Sequence, residues 1–179
     1  MRLKLLLSIL IIFFSDQKDK QNLATVNEVN CIEKEEPNPN NFNPILIKIC
    51  TFKKYRSVKI GTPDSKGRYS YQYELYRIEK NIKQKINNSD IFNSGKDIIG
   101  KKINQDIKKE FEKNSVNPHL KDCMEWIDFR YYDLNEMGMA FSENNELEFY
   151  FDHGIGGACF NVSFTIQKYK ISDFEEYLK

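Results

Sequence analysis

The sequence predicts an α+β protein: an antiparallel sheet with one main amphipathic helix packed on it and a short C-terminal helix. Three observations predict it. After Cys123 come four short runs of aromatic and β-branched residues, at 126–134, 137–141, 147–152 and 159–166. Turn formers at 135–136, 143–146 and 154–157 separate them, as between consecutive antiparallel strands. Residues 97–113 place Ile99, Ile103, Ile107 and Phe111 four apart, with Lys, Asp and Glu opposite, which predicts a helix of about four turns with one apolar stripe. Ser172 followed three residues later by Glu175 is a capping-box pattern, predicting a short final helix through Leu178.

At the N-terminus, Arg2 and Lys4 precede an apolar run over residues 5–14, and the chain turns polar at Ser15. A basic start before a short apolar stretch is the layout of a signal peptide. The run falls short of the roughly 20 residues that cross a bilayer. Residues 1–20 are therefore read as a signal peptide or an uncleaved N-terminal anchor, and export to the periplasm, the cell exterior or the envelope is the expectation. Membrane contact is expected only through that segment if it is retained.

Residues 21–44 read as a flexible polar linker, with Pro37, Pro39 and Pro44 among repeated Asn. A single α+β domain is expected over 45–179. Its first part reads as a β-hairpin over 46–79: a β-branched stretch at 45–60, a Gly- and Pro-containing turn at 61–67, then Tyr69, Tyr71, Tyr73 and Leu75 in alternation. The tyrosine stripe suits cross-strand packing better than a ligand platform. From 80 to 94 the signal is weak. Ser94 or Asp97 is the expected helix cap, and Asn117-Pro118 stops the helix. In the last strand Phe160, Val162, Phe164 and Ile166 alternate with Asn161, Ser163 and Thr165, predicting one buried and one solvated face.

The four cysteines, Cys31, Cys50, Cys123 and Cys159, form an even, widely spaced set. In an exported chain that reads as two disulfides with three connectivities open. The sequential pairing, Cys31 with Cys50 and Cys123 with Cys159, is preferred because it ties down the N-terminal arm and clamps the strand block. Free buried thiols are the cytosolic alternative, and the paired short spacings of a structural zinc site are missing.

Composition narrows the function classes. The formal net charge is +1 over 179 residues, with no clustered basic stretch, so nucleic acid is not an expected partner. The glycines at 154–157 lack the lysine and following helix of a phosphate loop, and no cofactor is expected. Asp152 beside His153 is the one candidate acid–base pair, though neighbouring residues on a strand point to opposite faces. Cys123 and Cys159 with His119 and His153 are too scattered for an expected metal site. Glu146, Glu148 and Asp152 alternate on one strand and, with His153, form the candidate binding set. They would offer an acidic edge to a basic partner.

From residue 97 the order of elements is an Ile-rich helix, a strand over the run at 126–134, the Gly-Met-Ala-Phe strand at 138–141 and the Glu-Phe-Tyr-Phe-Asp strand at 148–152. A glycine turn, an alternating strand and the Ser-x-Phe-x-x-Tyr-Leu end at 172–178 follow. This resembles the small exported α+β domain of unknown function that also forms the ectodomain of lysozyme-sensing anti-sigma factors, over roughly residues 97–178. The resemblance implies a protein partner such as a cell-wall hydrolase or toxin, in an inhibitor or immunity-like role. The residues therefore lead to an exported, disulfide-stabilised binding domain. A hydrolase using His153 with a nearby carboxylate is one alternative and a structural envelope protein is another.

Overall fold

The computed structural model describes residues 28–179, so the expected signal peptide or anchor at 1–20 lies outside the described residues. The architecture is α+β, as the patterning predicts, with the antiparallel strands divided between two sheets. The larger is a five-stranded meander of β1 (Asn30–Glu36), β2 (Ile45–Phe52), β3 (Tyr55–Pro63), β4 (Tyr69–Glu79) and β5 (Ile82–Ile86), side by side in that order. Helix α1 (Lys96–Ser115) and the short α2 (Lys121–Met124) follow. A three-stranded meander of β6 (Gly138–Ser142), β7 (Glu146–Asp152) and β8 (Phe164–Lys170) completes the fold. The 3-10 turn Ile171–Tyr177 ends the chain, and Leu178 bridges back to Phe92.

The main core lies where the two sheets and α1 meet. On the inner face of the large sheet Cys50, Phe52, Tyr55 and Leu75 are buried. They join Met139 and Phe141 of β6 and Leu147, Phe149 and Phe151 of β7 in one cluster. The expected stripe of α1 contributes Ile99, Ile103 and Ile107, each 1% exposed or less. A smaller cluster of Met124, Ile127 and Val162 sits under the second disulfide, with Cys123 and Cys159 packed against it.

Both disulfides form with the preferred pairing, Cys31–Cys50 and Cys123–Cys159. The first joins directly opposed residues of β1 and β2. The second ties α2 to the 3-10 turn Gly157–Val162.

Several local expectations are corrected. The run at 126–134 is no strand: it is irregular, and Trp126 and Tyr131 are exposed. Its backbone is satisfied by a side chain instead. Asn104 of α1, 5% exposed, accepts from the Tyr132 N–H at 2.8 Å and donates to the Tyr132 carbonyl at 2.9 Å. Residues 157–162 form a 3-10 turn, so the last strand starts only at Phe164. That strand has no solvated face of the expected kind, because Ser163 and Thr165 are buried while Phe164 and Ile166 are half-buried. Pairing begins before Ile45, since residues 30–36 of the expected linker form β1, fixed by seven register pairs to β2. The stretch 45–60 is two strands, not one, because the chain reverses at Lys53, which takes a left-handed φ of 52°. The weak region after Lys80 becomes β5, entered through Lys80 and Asn81 with φ values of 49° and 65°, the geometry of a tight hairpin turn. Neither Ser94 nor Asp97 caps α1: Gly95 stands at that position without a side-chain bond. The end of the chain is a 3-10 turn preceded by Lys170, so Ser172 makes no capping box.

Candidate functional site

Strand register decides what meets between the sheets. Cys50, Ser57 and Leu75 of the large sheet align across β2, β3 and β4 and point to the core. By the period of two, Lys48, Lys59, Gly61, Tyr71 and Tyr73 share that inner face. On β7 the core takes Leu147, Phe149 and Phe151, which leaves Glu146, Glu148, Tyr150 and Asp152 on the side towards the large sheet. The sheets thus close on each other at Tyr73, whose ring stacks on Tyr150 with centroids 5.3 Å apart. Gly138 fits beneath that ring, where a Cβ would lie 2.4 Å from it. Away from this contact they splay into a cleft of about 530 Å³.

At the base of the cleft Glu148 is buried, 6% exposed, and carries three partners. Lys59 reaches it from β3, the Tyr73 hydroxyl donates to it at 3.1 Å, and Lys168 of β8 lies 3.7 Å from its other oxygen. A buried carboxylate needs such pairing, since an isolated ion in the interior costs several kcal/mol. Burial, and next the Glu148 charge, push the Tyr73 hydroxyl pKa far up, so it remains a donor. The Lys59 ammonium also stands 4.5 Å from the Tyr71 ring centroid, a cation–π contact.

The rim is ionic and open. Lys48 bridges Glu33 on β1 at 2.8 Å and Glu143 in the β6–β7 loop at 3.0 Å, so one lysine spans the two sheets. Burial lowers its pKa, but the two carboxylates outweigh this and hold it raised. Glu146 pairs with Lys170 at 2.9 Å. Between the ionic groups the floor is apolar, built from Leu46, Gly61, Tyr71, Ala140 and Phe141. Beyond the cleft an aromatic row continues, with Tyr150 stacked on Phe164 at 5.5 Å and Phe164 against Phe160 at 5.7 Å.

The four residues of the expected binding set are only partly brought together. Glu146 and Glu148 line the cleft. Asp152 is exposed at the end of β7, and its carboxylate accepts from the Gly154 N–H at 2.7 Å. His153 is half-buried on the other side of the small sheet, held between the Tyr132 hydroxyl at 3.1 Å and the Thr165 hydroxyl at 3.0 Å. Burial lowers its pKa, and the nearby Asp152 charge opposes this only in part. Both ring nitrogens are thus engaged by hydroxyls, and the Asp152 carboxylate bonds its own turn. Among the described residues no group of His, Cys, Asp or Glu is arranged to hold a metal ion.

Lys48, Lys59 and Lys168 are what sequence reading missed in this site. The signal lay in the alternation of 45–60, which puts Lys48 among the core-facing positions. What the fold and the cleft define is a disulfide-stabilised α+β domain with a mixed-charge cleft between two sheets. No family model, curated protein or solved structure matches the chain. Among the described residues no helix is long and apolar enough to cross a membrane.

Proposed function

We propose that the chain is an exported binding domain that takes a protein partner into the cleft between its sheets, and does not act as a catalyst. The observation that carries this reading is the anatomy of the cleft. An apolar floor inside a charged, solvent-open rim is the arrangement of protein recognition surfaces, in which rim charges steer and the floor supplies desolvation. Lys48 and Glu143, on opposite lips, are the groups free to trade their mutual bond for bonds to a partner. The two disulfides support an oxidising destination. The resemblance of residues 97–178 to exported domains that sense lysozyme favours a cell-wall hydrolase or toxin as the partner class. The hydrogen bonds on His153 and Asp152 favour a structural role for both over acid–base catalysis.

The test is capture of wall hydrolases and toxins on the immobilised protein with both disulfides intact. Binding should weaken as salt rises from about 0.05 to 0.5 M, because rim charges are screened within about 10 Å at 0.1 M. Glu143→Lys together with Glu146→Lys should raise the dissociation constant about tenfold or more. Retention indifferent to both salt and these substitutions would remove the cleft from the account. Hydrolytic turnover that disappears in His153→Ala would replace it with the enzymatic reading.

A further inference from the structure

The cleft is polarised along its depth. At its base Glu148 has both Lys59 and Lys168, so two cations meet one carboxylate. At its lip the ratio is reversed. Lys48 is shared between Glu33 at 2.8 Å and Glu143 at 3.0 Å, whose side chains are 68% and 65% exposed. Glu35 also lines the cleft and makes no hydrogen bond or ion pair among the described residues. Lys34, between Glu33 and Glu35 on β1, alternates to the opposite face of the strand with Ile47. Glu146 is matched by Lys170 and shifts neither balance. The lip therefore holds three carboxylates against one ammonium, a field that favours a cation arriving from outside.

Register decides what lies beneath that lip. Glu35 on β1 opposes Leu46 on β2, Leu46 opposes Gly61 on β3, and Gly61 opposes Tyr71 on β4. Gly61 raises no side chain, and the Tyr71 ring lies down over it, with Cε1 2.9 Å from where a Cβ would stand. Across the sheet the row thus runs ring, alkyl chain, carboxylate. The row of Glu33 and Lys48 runs beside it. A guest side chain lying along this row meets apolar surface under its stem and carboxylates at its head. An apolar stem with a charged tip is the build of lysine and arginine. Arginine fits the lip better, because its planar fork of five donors bonds two carboxylates at once. Glu33 and Glu143 already converge on a single nitrogen, and Lys48 can release one of them while keeping the other.

On the reading of the cleft as the binding site, on which this step rests, we infer that the cleft takes an arginine side chain projecting from a surface loop of the partner protein. Its stem lies on Leu46 and Tyr71, and its guanidinium stands among Glu33, Glu35 and Glu143. The partner is thereby defined by chemistry: a protein with an exposed arginine on a protruding loop.

The test is a nuclear magnetic resonance titration of the full chain, both disulfides formed, with the blocked peptide acetyl-Gly-Arg-Gly-amide up to about 20 mM. A dissociation constant on the order of millimolar is expected, with shifts confined to amides of the lip and floor. The citrulline peptide, which keeps the shape and loses the charge, should cause no such shifts. The lysine peptide should bind at least about threefold more weakly. Glu35→Gln should weaken the arginine peptide about threefold, and Glu35→Gln with Glu143→Gln about tenfold, with the spectrum of the fold otherwise unchanged. Equal shifts with citrulline or lysine overturn the inference, as does the absence of shifts at the lip. A wall hydrolase that is retained through the cleft, yet is not displaced by the arginine peptide, overturns the arginine and leaves the cleft standing as the binding site. Shifts at the lip beside a column that retains no hydrolase or toxin uphold the arginine and remove that partner class.

Discussion

Lys59 on β3 and Glu148 on β7 form an ion pair at the junction of the two sheets, with side chains only 19% and 8% exposed. The pair is the polar hinge of an otherwise aromatic and aliphatic contact. Removing one member leaves the other buried without its main partner, which typically costs about 3–5 kcal/mol. Lys168, itself half in solvent, takes up part of the Glu148 charge, so Lys59→Met should cost near the lower end of that range. Lys59→Met with Glu148→Leu should recover much of the loss, because a matched apolar pair needs no compensation. Urea unfolding of the four proteins of this cycle measures the coupling. Additive effects would mean that the pair does not hold the sheets together.

His153 gives the protein a pH-dependent stability. Its pKa in the fold is lowered, chiefly by burial, against an opposing contribution from Asp152. Tyr132, with Arg130 over its ring, and Thr165 are the other groups against it. A group whose folded pKa lies below its unfolded value binds protons more readily in the unfolded chain. The neutral imidazole is therefore favoured by folding above about pH 6.5, the unfolded value. Stability should fall as the pH drops below this, until the folded pKa is passed. His153→Gln, which can still meet the two hydroxyls, should flatten that part of the profile. An unchanged slope between pH 6.5 and 5 in the variant would assign the dependence to other groups.

The disulfides act on different parts of the fold. Cys31–Cys50 binds an edge strand that carries few core side chains, whereas Cys123–Cys159 closes a separation of 36 residues over the small cluster of Met124, Ile127 and Val162. Each link should stabilise by about 3–4 kcal/mol on the loop-closure argument. Replacing Cys31 and Cys50 by Ala should release β1 locally: its amides should lose hydrogen-exchange protection while β3 and β4 keep theirs. Replacing Cys123 and Cys159 should instead expose α2 and the 3-10 turn Gly157–Val162. Uniform loss of protection in either variant would show a single cooperative unit.

The legible parts of this fold were those encoded by periodicity and covalent arithmetic. The four-residue spacing of Ile99, Ile103 and Ile107 marks α1 and its buried stripe, and the even count of cysteines marks two links. What escaped depended on single side chains acting at a distance. The run at 126–134 has strand composition, but Asn104 of α1 satisfies the backbone of Tyr132 and keeps it out of a sheet. Lysine is no turn former by reputation, yet Lys53 reverses the chain in the left-handed region. The cleft was half legible. Glu146 and Glu148 alternate as an acidic face would, but the lysines that neutralise Glu148 come from β3 and β8 and meet it only through sheet packing. His153 looked like chemistry because of its neighbour in sequence, whereas its neighbours in space are hydroxyls.

Gly138 fixes how closely the sheets approach. It stands on β6 opposite Tyr150, and a Cβ there would lie 2.4 Å from Cδ2 of Tyr73 and within 3 Å of two further ring atoms. The Tyr73 ring cannot yield freely, because it is stacked on Tyr150 and its hydroxyl bonds Glu148. Gly138→Ala should therefore separate the strands locally and destabilise by about 1–3 kcal/mol, the range for overpacking a filled contact. The same displacement would draw Tyr73 off the carboxylate at the base of the cleft. Tyr73→Phe, which keeps the ring and loses only the hydroxyl, distinguishes the two effects. If crowding dominates, Gly138→Ala should cost more than Tyr73→Phe in urea unfolding, and Gly138→Ala with Tyr73→Leu should recover part of the loss. Equal costs with no recovery would place the weight on the hydrogen bond to Glu148 and not on the close approach of β6.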